Sequence, residues 1–137
     1  MKVSEIMTTN VECVSPDAGL VDLARKMKTL DVGFLPVCEN DRLIGTVTDR
    51  DIVLRGIAGV RNLNTCTARD IMNNQVAWCF EDEDVKDVAE KMRDEEVRRM
   101  LILSEDKRLV GVVSLGDISK VEEKESGITL KDIAEAA

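Results

Sequence analysis

Residues 45–52 read GTVTDRDI, and residues 111–118 read GVVSLGDI. Both spell Gly-x-Val-[Thr/Ser]-x-x-Asp-Ile, 66 residues apart in a chain of 137. Working outward, an offset of 65 sets Ile6-Met7 on Ile71-Met72, and the same offset pairs Val11 with Val76, Asp17 with Asp82, Ala24 with Ala89, Met27 with Met92 and Val32 with Val97. One extra residue near Lys107 shifts the offset to 66, after which Arg42 meets Arg108 and Asp51 meets Asp117. Sixteen of the 47 positions from 6 to 52 are identical in this register, too many for chance, so the chain is an internal duplication.

Each copy follows one grammar. Val11, Cys13 and Val14 predict a short strand, and Ser15-Pro16 suits a helix N-cap followed by proline in the first turn. Leu20, Leu23, Ala24, Met27 and Leu30 recur at helical spacing. Residues 32–38 and 43–47 predict two strands joined through Glu39-Asn40-Asp41-Arg42, and Ile52-Val53-Leu54 opens a second helix that Gly56 should end. In the second copy residues 76–80 are the strand, and Val85, Val88, Ala89 and Met92 the helix face. Residues 97–103 and 109–113 are the hairpin, and Asp117-Ile118 begins the last helix. The fold class is α+β, two β-α-β-β-α units. Residues 1–58 form the first repeat, 59–69 a polar linker, 70–121 the second repeat, and 122–137 an acidic C-terminal tail in which Ile128–Ala137 predicts a short helix. One unit of about 50 residues buries too little surface to stand alone, so the duplication is first a folding device.

Composition narrows the function. No run reaches the roughly 20 apolar residues of a membrane span, and Met1-Lys2-Val3-Ser4-Glu5 lacks a secretion signal's apolar core, so the expectation is a cytoplasmic protein. A net charge of −8 argues against nucleic acid and anionic membranes as partners. Cys13, Cys38, Cys66 and Cys79 form no C-x-x-C pair and there is no histidine, so neither metal nor catalytic thiol is expected. The four read as small buried hydrophobes.

The repeated motif has two readings. Thr or Ser followed three residues later by Asp is a capping box, and Thr46, Thr48, Thr67, Ser114 and Thr129 all have that spacing. Thr48–Asp51 and Ser114–Asp117 alone follow a strand and a glycine three positions earlier. There, free N–H groups and the positive helix end attract phosphate, a hydroxyl adds a donor, and an ionised Asp suits the hydroxyls of a ribose. Hydroxyl and carboxylate together match a nucleoside monophosphate.

With its doubled motif, and with GFLPV at 33–37 and TDRDIVLRG at 48–56, the chain from residue 3 to about 121 resembles a tandem CBS-domain pair. It is especially close to small stand-alone bacterial members. The resemblance implies two CBS repeats packed through their sheets about a pseudo-twofold axis, a homodimer, and clefts that bind AMP, ADP, ATP or S-adenosylmethionine. It implies a non-catalytic regulatory protein signalling to an unknown protein target, with no cofactor beyond that ligand; the alternative is a ligand-free dimerisation scaffold. By motif, Asp51 and Asp117 would hold ribose, and Thr48, Ser114, Arg50, Arg98 and Arg99 phosphate. Val11, Glu12, Cys13, Pro36 and Val37 would flank one base, and Val76, Ala77, Trp78, Leu101 and Ile102 the other. Leu101 stands where the first copy has Pro36, and Gly116 where it has Arg50, so the two half-sites differ.

Overall fold

The computed structural model describes residues 1–59 and 62–126; the expected helix at 128–137 and the Thr129–Asp132 tetrad lie outside them. Apolar periodicity sets the elements. Helix α1 (Leu20–Leu30) buries Leu20, Leu23 and Met27, and its counterpart α4 (Val85–Glu95) buries Val85, Val88 and Met92. Both end on an acidic residue in the left-handed region, Asp31 at φ 54° and Glu96 at φ 55°.

Each helix leads into a hairpin. β1 (Phe34–Glu39) pairs antiparallel with β2 (Arg42–Thr48), closed by Asn40 and Asp41, both at positive φ as a two-residue primed turn requires. β4 (Arg99–Leu103) pairs with β5 (Leu109–Ser114), and its longer loop carries Lys107 at φ 63°. β3 (Trp78–Phe80) lies parallel to β4, giving a sheet of order β3-β4-β5. The first copy has only a one-residue version of that third strand, a parallel bridge between Val14 and Val37.

The chain divides into two compact units, and they are not the two sequence repeats. One is Val11–Val76, and the other joins Met1–Asn10 to Ala77–Ala137. The lead segment of each repeat has moved to the other repeat's sheet. Thr8 and Val112 exchange N–H···O bonds of 2.8 and 3.0 Å, and the equivalent Asn73 and Thr46 exchange bonds of 2.9 and 3.0 Å. Val3 is thereby fully buried in one core, and Cys66, Ala68 and Ile71 in the other. Residues 66–69 are therefore not a free linker. Cys66 O accepts from Leu20 N, and the N–H groups of Ala68 and Arg69 donate to Ala18 and Pro16.

That pairing changes two local expectations. Ser15 does not cap α1; the helix begins at Leu20, and Ser15 Oγ accepts from Asp17 N–H in a tight turn. The backbone of Val14 is already committed to β1, and the carbonyls of Pro16 and Ala18 to Arg69 and Ala68, so this stretch cannot enter a helix. Gly56 does not end the second helix either. A single turn, α2 (Asp49–Asp51), continues into a π-helical stretch, Ile52–Ile57, and a Cβ on Gly56 would lie 3.0 Å from Leu20 Cδ2. The last helix, α5 (Leu115–Ser126), runs past residue 122, where a tail was expected. No helix among the described residues is long and apolar enough to cross a membrane.

The motif glycines serve the exchanged segments. A Cβ on Gly45 would sit 2.9 Å from Asn73 O, and one on Gly111 2.9 Å from Thr8 O, besides striking Met72 and Met7. Gly45→Ala and Gly111→Ala should therefore each cost about 1–3 kcal/mol through overpacking against backbone. Gly116→Ala, whose nearest neighbour would be Ser114 Oγ at 3.6 Å, should be neutral or stabilising by about 0.5–1 kcal/mol in its helix. Thermal melting of the three variants checks the opposite signs.

Candidate functional site

Where β2 ends, Thr48 closes a reciprocal box with Asp51. Asp51 N–H donates to Thr48 Oγ1 at 3.0 Å, and Thr48 N–H donates to Asp51 Oδ2 at 2.9 Å. The turn is held from outside by Asp49 N–H donating to Gly33 O at 2.9 Å. The second copy repeats the arrangement. Ser114 N–H donates to Asp117 Oδ2 at 2.9 Å, Asp117 N–H donates to Ser114 Oγ at 3.1 Å, and Leu115 N–H donates to Arg98 O at 2.7 Å.

The same box forms at Thr67–Asp70, at the start of α3 (Ala68–Ile71), where Thr67 N–H donates to Asp70 Oδ2 at 2.9 Å. Box formation by itself thus does not mark a ligand site. Thr46–Asp49 makes no such box: Thr46 N–H is bonded to Asn73, and Asp49 Oδ1 accepts from Arg50 N–H.

The two motif boxes differ in what else surrounds the aspartate. Arg55, four residues on, brings Nε to 3.7 Å from Asp51 Oδ1 and Nη1 to 3.3 Å from Met72 O. Its counterpart in the second repeat is Val121, and Asp117 has no ion pair among the described residues. The sequence reading passed over Arg55, although an Asp–Arg pair at i,i+4 on a helix is a recognisable signal.

Register connects the proposed phosphate and base positions within each unit. Ser114 stands opposite Arg99, and Leu101, two residues further along β4, shares that face. Thr48 stands opposite Phe34, and Pro36 shares its face in the same way. Arg98 and Arg50 are both exposed. Leu101 N–H donates to Ala77 O, which brings Ala77, Trp78 and Leu101 together, while Val14 N–H donates to Pro36 O and holds residues 11–13 beside β1. Val76 is half-buried and falls in the other compact unit from Trp78. Val37 and Ile102 turn their side chains fully into the cores, so a ligand would meet only their backbone. Glu12 is paired with Lys26 at 3.2 Å. Trp78 is partly exposed, with Phe80 edge-on at 5.0 Å between ring centroids and Lys91 Nζ 6.0 Å from its ring centre.

The cysteines split into two kinds. Cys66 and Cys79 are buried, as expected, and burial pushes the Cys79 thiol up to about 12. Cys13 is exposed and Cys38 half-buried, contrary to the expectation for all four. Both lie beside the Val14–Val37 bridge, whose own side chains take the inward positions.

Two helix-mouth boxes at equivalent ends of two equivalent hairpins accord with the family comparison. The CBS-domain family model matches residues 3–56 and 68–124. The chain belongs to the CBS-domain family. Among curated relatives, Hypoxic response protein 1 of Mycobacterium tuberculosis is 36% identical over 117 residues, covering 85% of this chain and 81% of the relative. The solved structure of Hypoxic Response Protein I with two coordinated zinc ions aligns with a TM-score of 0.79 at 34% identity, covering 88% of this chain and 98% of that one. The CBS domain pair of protein MJ0100, in complex with 5′-methylthioadenosine and S-adenosyl-L-methionine, aligns at 0.77 and 25% identity, with coverage of 91% and 98%. CBSX2 in complex with AMP aligns at 0.77 and 21% identity, covering 91% and 98%, a likeness of fold. Among the described residues of this CBS pair, no cluster of three or more His, Cys, Asp or Glu is placed to hold a metal ion.

Removing one carboxylate from a box leaves a helix start short of one acceptor. Asp51→Ala, Asp70→Ala and Asp117→Ala should each lose about 1 kcal/mol of stability and remain folded. Urea unfolding followed by circular dichroism measures the three shifts.

Proposed function

We propose that this CBS pair is a non-catalytic, cytoplasmic regulatory protein that binds an adenosine-containing ligand, AMP, ADP, ATP or S-adenosylmethionine, and signals it to a protein target. The observation that carries this reading is the second motif. Its box holds Ser114 and Asp117 rigidly through one carboxylate oxygen, and Arg99 stands across the strand pair from Ser114. Asp117 Oδ1 is left outside the box, an acceptor suited to ribose hydroxyls, while Ser114, Arg98 and Arg99 suit phosphate. The 25%-identical MJ0100 pair, solved with two adenosine compounds, supports the same ligand class.

In the first motif Asp51 Oδ1 already faces Arg55, so a ribose there competes with an ion pair. Thr48 and Arg50 remain its phosphate candidates, with Val11, Glu12, Cys13, Pro36 and Val37 beside the base. The second motif, flanked by Val76, Ala77, Trp78, Leu101 and Ile102, should therefore fill first. A nucleoside monophosphate of about two dozen heavy atoms at roughly −0.3 kcal/mol per atom gives near −7 kcal/mol, a dissociation constant on the order of ten micromolar.

A second reading, a ligand-free dimerisation scaffold, has its own observation. Val53, Leu54 and Ile57 on the π-helical stretch are each about half exposed. Such a row suits a homodimer interface.

Titration with AMP, ADP, ATP and S-adenosylmethionine, read by Trp78 fluorescence and thermal melting, separates the two. The ligand reading expects a saturable response in the micromolar range that Asp117→Ala abolishes and Asp70→Ala leaves intact. No response to any of the four up to millimolar concentration, with a dimer in sedimentation that Ile57→Glu dissociates, would establish the scaffold instead.

A further inference from the structure

Cys13 and Cys38 carry thiol chemistry that the nucleotide reading, which only sets Cys13 beside the first base, leaves unused. The backbone brings them together: Val14 N–H donates to Pro36 O at 2.9 Å, and Cys38 N–H donates to Val14 O at 3.0 Å. Val14 and Val37 point into the core, so by strand alternation the flanking Cys13 and Cys38 project to the opposite side. Each of the two thiols is the chief influence on the other's proton affinity. Cys13, which is exposed, lines a cavity of about 250 Å3 together with Ser15, Asp22 and Lys26.

Their environments are unequal. The neighbouring Cys38 thiol holds the Cys13 thiol below its ordinary range against partial burial, and the Lys26 ammonium adds to this. Cys13 in turn, with burial and the nearby Asp41 charge, raises the Cys38 thiol. A thiolate-prone sulfur with a protonated partner is the arrangement of a reacting and a resolving cysteine.

We propose that Cys13 and Cys38 form a redox-modifiable dithiol, in which Cys13 is oxidised by a small hydroperoxide and Cys38 closes the disulfide. In the first step the Cys13 thiolate attacks the distal peroxide oxygen. An S–O bond forms, the O–O bond breaks, and the departing oxygen takes a proton and leaves as water or an alcohol. Cys13 is now a sulfenic acid, its sulfur oxidised by two electrons and the peroxide reduced by two. Oxidation also removes the negative charge that kept Cys38 protonated. The Cys38 sulfur then attacks the Cys13 sulfur, forming the S–S bond and breaking S–O, and water leaves with the Cys38 proton. The product staples residues 11–14 to β1, and a dithiol reductant reverses it. Neither thiol needs a bound nucleotide for this chemistry.

The test treats the reduced full chain with hydrogen peroxide, denatures it, alkylates the free thiols, and maps peptides by mass spectrometry. The expected result is two alkylated cysteines, Cys66 and Cys79, and one intramolecular Cys13–Cys38 peptide that dithiothreitol releases. Cys38→Ser should stop at a Cys13 sulfenic acid trapped by dimedone, and Cys13→Ser should slow peroxide consumption at least roughly ten-fold. Both positions lie outside the core, and matching melting curves confirm that the variants fold. Four alkylated thiols after peroxide, a link through Cys66 or Cys79, an interchain disulfide, or equal reactivity of the two single variants would each overturn the proposal.

Discussion

Two pairs of backbone hydrogen bonds, Thr8 with Val112 and Asn73 with Thr46, carry the rest of the structure. Each lays the lead segment of one repeat along the last strand of the other. The approach is close enough that only glycine fits at 111 and 45. With the segments come Val3 for one core and Cys66, Ala68 and Ile71 for the other. A repeat cut out by its sequence boundaries would lose these residues, and its core with them. The duplication is therefore reciprocal: each copy supplies what the other lacks.

The same strands end where the candidate chemistry begins. β2 and β5 stop at Thr48 and Ser114, and the next N–H is tied to the loop before β1 or β4, at Gly33 O or Arg98 O. Hydroxyl and carboxylate are then locked by reciprocal bonds. Capping is compatible with the proposed recognition because a carboxylate has two oxygens, and the box occupies one. The two boxes also diverge at the other oxygen: Arg55 attends that of Asp51, whereas Val121 takes the arginine's place in the second repeat and Asp117 has no ion pair among the described residues.

Much of this was readable from residue order. The duplication, the two amphipathic helices and both hairpins follow from apolar spacing and turn residues, including the extra residue near Lys107, and the doubled motif carried the resemblance to the CBS family. The Thr48 and Ser114 boxes were legible as boxes, but so was Thr67–Asp70, because a helix start needs the same acceptors whether or not a ligand follows. The sequence also suggested a cap at Ser15 and a stop at Gly56, and both failed for one reason. A local preference worth about 1 kcal/mol yields when the backbone is claimed by distant partners, here residues 66–69, or when a neighbour such as Leu20 needs the space.

What the sequence alone determined is helix faces, hairpin positions and the repeated motif with the family it resembles, all of them carried by residues close together in the chain. What only the tertiary structure decided is which segments complete which core, why the motif glycines are glycines, and which of four cysteines face one another. These depend on contacts between residues far apart in the chain. Backbone amides and carbonyls make the exchanged pairings, and they are the same at every position, so no side-chain pattern announces them. Two cysteines separated by a helix acquire a shared environment only when the strands that carry them lie side by side.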